Sequence, residues 1–124
     1  MEVTKSIMKI VEEMNRRKVS IELARDMTEL AYKYMCYVFD KQDIIEMQSE
    51  EHFNYAMTGT VAIAYNVLRN DEDKDHNTIF NMLNKIAKFL TEVGVLSEPA
   101  RLYLHGQMAR DIREYRICLE WATV

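Results

Sequence analysis

Glycine and proline are scarce in this sequence, with three glycines and one proline in 124 residues. A chain so poor in turn-forming residues is ill suited to an all-β fold and well suited to long helices. Its two cysteines, Cys36 and Cys118, lack the spacing of a metal site. They indicate buried, reduced thiols rather than a disulfide framework, which is typical of a cytoplasmic protein.

Positive charge is also in short supply, since 16 lysines and arginines face 20 aspartates and glutamates, for a net charge of −4. Binding to nucleic acid through general neutralisation of phosphates is therefore not expected. No apolar run is long enough for a membrane span, which takes ~20 mostly apolar residues. The charged, amphipathic start of the chain does not have the pattern of a signal peptide. We expect a protein that contacts neither membrane nor, as a rule, nucleic acid.

The main structural signal is the run from Phe53 to Leu68, sixteen residues without a charge in a chain that is 29% charged. Its apolar residues follow the helical period, which predicts the central helix of a small bundle. A strand-like alternation from Val61 to Val67 is the competing interpretation, but Phe53 and Met57 fit only the helical period. The predicted buried face consists of Phe53, Ala56, Met57, Thr60, Val61, Ala64, Val67 and Leu68.

Four further helices follow from apolar spacing and capping residues. The first spans Val3 to Arg17, the second follows an N-cap at Ser20, and the charge-free helix follows Ser49. The fourth helix is predicted over Thr78 to Val93, between Asn77 and Gly94 as caps, and the fifth from Ser97 to Trp121 or beyond. With a short helical connector from Asp43 to Gln48, the prediction is one all-α domain over residues 1–124: a bundle of about five helices.

The acidic loop after Arg69 partly matches a calcium site, because Asp71, Asp73 and Asp75 stand at the first ligand positions of an EF-hand. His76 stands where the loop needs glycine, and Met82 where it needs the bidentate glutamate. The loop is therefore interpreted as solvated. We find no acid pair, nucleophile–base arrangement or metal-ligand cluster elsewhere in the sequence, and expect no metal or cofactor. The isolated His105 is expected to have a structural role.

Arg69 and His76, with six residues between them, resemble the Arg-x4–6-His signature of the HEPN ribonuclease families. Those families are helical domains of about this length, in which the Arg and His act on the RNA 2′-hydroxyl and phosphate. The resemblance implies a metal-independent ribonuclease with Arg69 and His76 as its catalytic pair. Asp71, Glu72, Asp73 and Asp75 between them would repel RNA phosphate, so this is the alternative function and not the preferred one.

The fifth helix carries two lines of contact-forming residues. One line, which includes Leu104, Met108, Ile112 and Tyr115, is enough to dock the helix on the bundle. The second line repeats at spacings of 4, 3, 4, 3 and 4 on the far side, and it is rich in the residue types that dominate protein interfaces. We call it the outer line of the fifth helix; it consists of Tyr103, Gln107, Arg110, Glu114, Ile117 and Trp121.

Two explanations of the outer line remain open: internal packing under the end of the chain, or an interface. We predict an interface, with Tyr103, Arg110, Glu114, Ile117 and Trp121 as partner-binding residues. The preferred function is a non-enzymatic adaptor or inhibitor that contacts another protein or a second copy of itself. The region from Asp43 to Asp75, with eight acidic and two basic residues, is predicted as a second contact for a basic groove.

Overall fold

Five helices make up most of the described residues. The computed structural model describes residues 2–41, 49–71 and 74–122, with side chains from 8 to 115 within these ranges. The helices are α1 (Glu2–Arg16), α2 (Ile21–Phe39), α3 (Glu50–Asn70), α4 (His76–Glu92) and α5 (Glu98–Ala122). No strand occurs in the described ranges. The all-α prediction is confirmed, including the helical interpretation of residues 61–67. The predicted connector from Asp43 to Gln48 lies outside the described residues.

Serine side chains begin three of the helices as predicted. The Oγ atoms of Ser20 and Ser49 accept hydrogen bonds from the backbone amides of Leu23 and His52 at 3.1 and 3.0 Å. Ser97 Oγ accepts from the Ala100 amide at 3.2 Å. These bonds satisfy amides of the first turn that have no partner within the helix.

The start of α4 differs from the prediction, because Asp75 rather than Asn77 is its N-cap. Asp75 Oδ1 accepts from the amides of Asn77 and Thr78, and the Thr78 hydroxyl accepts from the Asp75 amide. This reciprocal pair is a capping box, and it adds two residues to the helix. At the other end Gly94 takes the left-handed conformation, with φ +83°, directly after the C-cap Val93.

The helices pack around one apolar core. Apolar residues from all five helices contribute to it, and α4 presents the regular stripe that its sequence predicts. The most deeply buried large side chains are Ile10, Met14, Leu23, Met27, Met35, Leu68, Ile79, Met82, Ile86, Leu90, Leu104 and Met108. Five of these twelve are methionines, from α1, α2, α4 and α5, so flexible thioethers fill much of the space between helices.

Helix α3, which contains the charge-free run from Phe53 to Leu68, is not central, contrary to the prediction. It packs mainly against α2 and α4, whereas α4 contacts α1, α3 and α5. Five residues of the predicted buried face of α3 are buried: Ala56, Thr60, Ala64, Val67 and Leu68. The other three, Phe53, Met57 and Val61, are half-buried and pack against the core. The opposite side of α3 has no helix against it among the described elements and is exposed.

Gly59 allows the ring of Phe89 to lie directly against the backbone of α3. A Cβ at position 59 would overlap that ring, which also packs against Tyr55 with 6.0 Å between ring centroids. Glycine in a helix normally costs about 1 kcal/mol relative to alanine. Here the close approach of an aromatic ring compensates for that cost.

We therefore expect Gly59→Ala to lower the free energy of unfolding by ~1 kcal/mol or more, because the overlap outweighs the gain in helix propensity. In a Phe89→Ala background the same change should instead stabilise. Gly106→Ala in α5, where a Cβ meets nothing within 4 Å, is the matched control and should stabilise. Urea denaturation measures all three; a stabilising effect of Gly59→Ala in the wild-type background would contradict the prediction.

Candidate partner-binding surface

The inner side of α5 docks the helix on the bundle. Leu104 and Met108 are fully buried, and Ile112 and Tyr115 are 8% and 5% exposed. Burial raises the pKa of the Tyr115 hydroxyl, with a smaller contribution from the negative charge of Glu12. The predicted core stripe is therefore present over the described side chains, and α5 needs no second apolar side for its attachment.

The outer line of the fifth helix lies on the surface where its side chains are described. Tyr103 is 57% exposed, and Arg110 and Glu114 are also exposed. Gln107 is half-buried. Ile117 and Trp121 belong to α5 by their backbone, but their side chains lie outside the described residues. The interface stays a prediction for these two residues and for Tyr103, Arg110 and Glu114.

The first half of the outer line borders an open groove of about 750 Å³ between α5 and the C-terminal end of α2. Tyr103 and Gln107 form one side, and the last turn of α2 forms the other. Phe39 packs against Tyr103 with ring centroids 6.0 Å apart. Tyr37, which is 57% exposed, contributes a second tyrosine. The residues on the α2 side of the groove are Cys36, Tyr37, Val38, Asp40 and Lys41.

A buried polar cluster beneath this groove joins α2 to α5. The Tyr34 hydroxyl donates to Asp111 Oδ2 at 2.5 Å, and Gln107 Nε2 donates to Asp111 Oδ1 at 3.1 Å. Tyr34 and Asp111 are only 4% and 5% exposed. Burial raises the pKa of the Tyr34 hydroxyl, and its bond to the Asp111 carboxylate raises it further. The cluster orients Gln107, which, among the outer-line residues with described side chains, is the one that reaches toward the core.

Two histidines bridge helices. His105 Nδ1 is hydrogen-bonded to Asn84 Oδ1 at 2.9 Å, and its ring lies 5.3 Å from that of Phe80, so it connects α5 to α4. His52 Nε2 donates to the Val93 carbonyl at 2.8 Å and connects the start of α3 to the end of α4. These contacts agree with a structural role for His105.

Arg69 and His76 contact different aromatic residues. The Arg69 guanidinium lies 6.0 Å from the centroid of the Tyr65 ring, at the end of α3. His76 is half-buried in the first turn of α4, with its ring 6.3 Å from that of Tyr115. No hydrogen bond or ring contact joins the two residues in the described part of the chain. The ribonuclease alternative stays a prediction from the sequence.

Among the described residues, no group of three or more His, Cys, Asp or Glu side chains is placed to hold a metal ion. Asp75, one of the three acidic residues considered for calcium, has its Oδ1 atom occupied as the cap of α4. None of the helices, over the described residues, combines the length and apolar character that crossing a membrane takes.

Comparison with protein-family models, with curated proteins and with solved structures finds no significant match to this chain. The chain's own residues, and the places the fold gives them, are therefore the basis on which a function is inferred.

Proposed function

We infer that this protein acts without catalysis, as an adaptor or inhibitor that binds another protein or a second copy of itself through the outer line of the fifth helix. The observation that carries this proposal is the exposure of Tyr103, Arg110 and Glu114 on a helix whose opposite side already supplies a complete core contact. A surface helix needs only one apolar side for stability.

The types of residue on this surface support binding to a protein. Tyrosine and arginine are enriched among the residues that contribute most to protein–protein affinity, because each combines a large contact area with polar groups. Tyr37 and Leu102 add exposed apolar area beside Tyr103, at 57% and 58% exposure. An exposed patch of this kind, bordered by charged residues, is typical of an interaction site.

The charges on the surface favour a partner of mixed polarity. Arg110 and Glu114 lie one turn apart on α5, and Lys41 and Asp40 lie across the groove from Tyr103. A partner that matches this surface should offer both an acidic and a basic group around an apolar centre. The acidic stretch from Asp43 to Asp75 is proposed as a second contact for a basic groove; residues 43–48 and 72–73 of it lie outside the described ranges.

The proposal is tested by single substitutions on the outer line. Tyr103→Ala removes an aromatic anchor and should weaken association by ~2 kcal/mol or more, about thirtyfold in Kd. Arg110→Glu should also weaken it, because it reverses a charge at the middle of the line. Affinity capture from the native host identifies the partner, and calorimetry with the purified partner, or sedimentation if the partner is a second copy, measures the change.

Glu22→Ala, on α2 and outside both proposed contacts, is the control and should leave association unchanged. Thermal melts of each variant show whether the monomer stays folded. Should Tyr103→Ala unfold the protein, the outer line would be internal packing, and should both α5 variants bind as tightly as the wild type, the contact would lie elsewhere.

A further inference from the structure

The exposed side of α3 is a second surface with unusual properties. No Asp, Glu, Lys or Arg occurs between residues 52 and 68. Tyr55 on this side is 62% exposed, which is the highest value among the large apolar side chains that the structure describes. Thr58, Ala62 and Asn66 are exposed as well, and Tyr65 is half-buried. We call this surface the outer face of α3.

The residues of the outer face are arranged symmetrically about the level of Thr60. Residues of like kind lie at equal distances before and after it, and charges of opposite sign lie at equal distances at the two ends. At ~100° per residue, all of them fall within about 60° of a single line along the helix. The pairs, from the centre outward, are Thr58 with Ala62, Tyr55 with Tyr65, Asn54 with Asn66, and Glu51 with Arg69.

We propose that the outer face of α3 binds the same face of a second copy of this chain, with the two helices antiparallel and a twofold axis at the level of Thr60. In such a contact each residue meets the residue that is equally far from Thr60 on the other side. Tyr55 of one copy then packs against Tyr65 of the other, and Thr58 lies against Ala62. Glu51 of each copy meets Arg69 of the other, so that the dimer contains this ion pair twice.

Charge complementarity identifies the occupant as a second copy. Within one chain Glu51 and Arg69 are separated by 18 residues of helix, which is ~27 Å, and cannot pair with each other. Neither forms an ion pair with another described residue. Two copies of a chain with net charge −4 repel each other over most of their surfaces. An uncharged face with opposite charges at its ends is where that repulsion is weakest.

The centre of the face permits close approach. Thr58 and Ala62 are small, so two helices can pack with their axes ~8 Å apart, the short end of the usual range. A contact made by one helix from each copy is smaller than a standard interface of ~1,600 Å². We therefore expect a weak dimer with Kd in the micromolar range. This contact is separate from the outer line of the fifth helix and does not depend on it.

Charge reversal tests the proposed pairing. Glu51→Arg and Arg69→Glu should each weaken self-association roughly tenfold or more, because each variant places like charges together twice in the dimer. Mixing the two variants should restore association, since both ion pairs of the mixed dimer are again attractive. Sedimentation velocity across a concentration series measures the single variants, and the mixture is followed with a fluorescent label on one of them.

Matched controls separate the pairing from general effects of charge. Glu22→Arg reverses an acidic residue in the first turn of α2, as Glu51→Arg does in α3, and Arg113→Glu reverses an exposed arginine of α5. Both should leave self-association unchanged. Ala62→Arg puts a large charged side chain at the centre of the face and should abolish the dimer. Thermal melts at low concentration should show a folded monomer for every variant.

Three results would overturn the proposal. The wild type could remain monomeric at a concentration of ~1 mM, well above a micromolar Kd. The mixture of the two charge variants could fail to associate. Self-association could also be lost in Tyr103→Ala and retained in Ala62→Arg, which would assign the second copy to the outer line of the fifth helix. If Tyr103→Ala instead loses partner binding and keeps self-association, the two surfaces have separate roles: the outer line of the fifth helix binds the partner, and the outer face of α3 binds the second copy.

Discussion

Replacing Ala64 by aspartate is expected to prevent the chain from folding, whereas the same replacement at Ala62 is expected to leave the monomer folded. Ala64 is fully buried on the side of α3 that faces α2 and α4, and Ala62 is exposed on the outer face. A carboxylate at residue 64 would be removed from water without a partner, at a cost of several kcal/mol. Domains of this size have a total stability of only ~5–15 kcal/mol.

Circular dichroism and thermal melts measure both variants at low protein concentration. Ala62→Asp should lose ~0.7 kcal/mol at most, the difference in helix propensity between alanine and aspartate. The two positions share a helix and a residue type, so the comparison isolates burial from every local effect. A folded Ala64→Asp, or an unfolded Ala62→Asp, would mean that the orientation of α3 is wrong.

The sequence predicts the buried sides of the helices well because these depend on local periodicity. Ile79, Leu83, Ile86 and Leu90 recur every three or four residues, and all four are buried in α4. The caps at Ser20, Ser49 and Ser97 also follow from residue type alone. The N-cap of α4 was missed since Asp75 sits within a run of acidic residues. The signal was the spacing of Asp75 and Thr78, which forms the capping box.

The position of α3 could not be predicted from periodicity. An uncharged helix is expected to be covered on all sides, but coverage depends on how many helices pack around it. Those neighbours are set by contacts between distant parts of the chain. The structure leaves one side of α3 exposed, and an apolar pattern looks the same whether a helix of the same chain or a second chain covers it.

The part of the candidate site that lies on α5 could be predicted, because it too depends on local periodicity. The exposure of Tyr103, Arg110 and Glu114 agrees with the pattern that separated two sides of α5. The contribution of α2 to the same surface was not predicted, because the groove needs the antiparallel packing of α2 beside α5. The buried Asp111 was also missed. A single aspartate in a charged helix gives no sign that it accepts a hydrogen bond from Tyr34, 77 residues away in the sequence.

The buried pair of Tyr34 and Asp111 gives the second large expected effect. Tyr34→Phe removes the hydroxyl that donates to Asp111 Oδ2, and leaves Gln107 as the side-chain donor to Asp111 within the described part of the chain. It should lower the free energy of unfolding by about 3 kcal/mol, because hydrogen bonds to buried charged groups cost the most to lose. Asp111→Ala should cost ~2 kcal/mol or more by leaving the Tyr34 hydroxyl without its acceptor. In the double variant the two losses should overlap, with a coupling energy of at least ~1 kcal/mol.

Tyr34 should also make the protein sensitive to alkali. Its pKa is raised in the folded state, first by burial and then by the bond to Asp111, so the folded state keeps this proton while the unfolded state loses it near pH ~10. The stabilisation is therefore complete below about pH 10 and declines above it, by up to ~1.4 kcal/mol per pH unit. Urea denaturation at several pH values between about 9 and 11 should show a smaller decline for Tyr34→Phe than for the wild type. Tyr55→Phe removes an exposed hydroxyl and is the control; equal declines in the wild type and Tyr34→Phe would contradict the role of Tyr34.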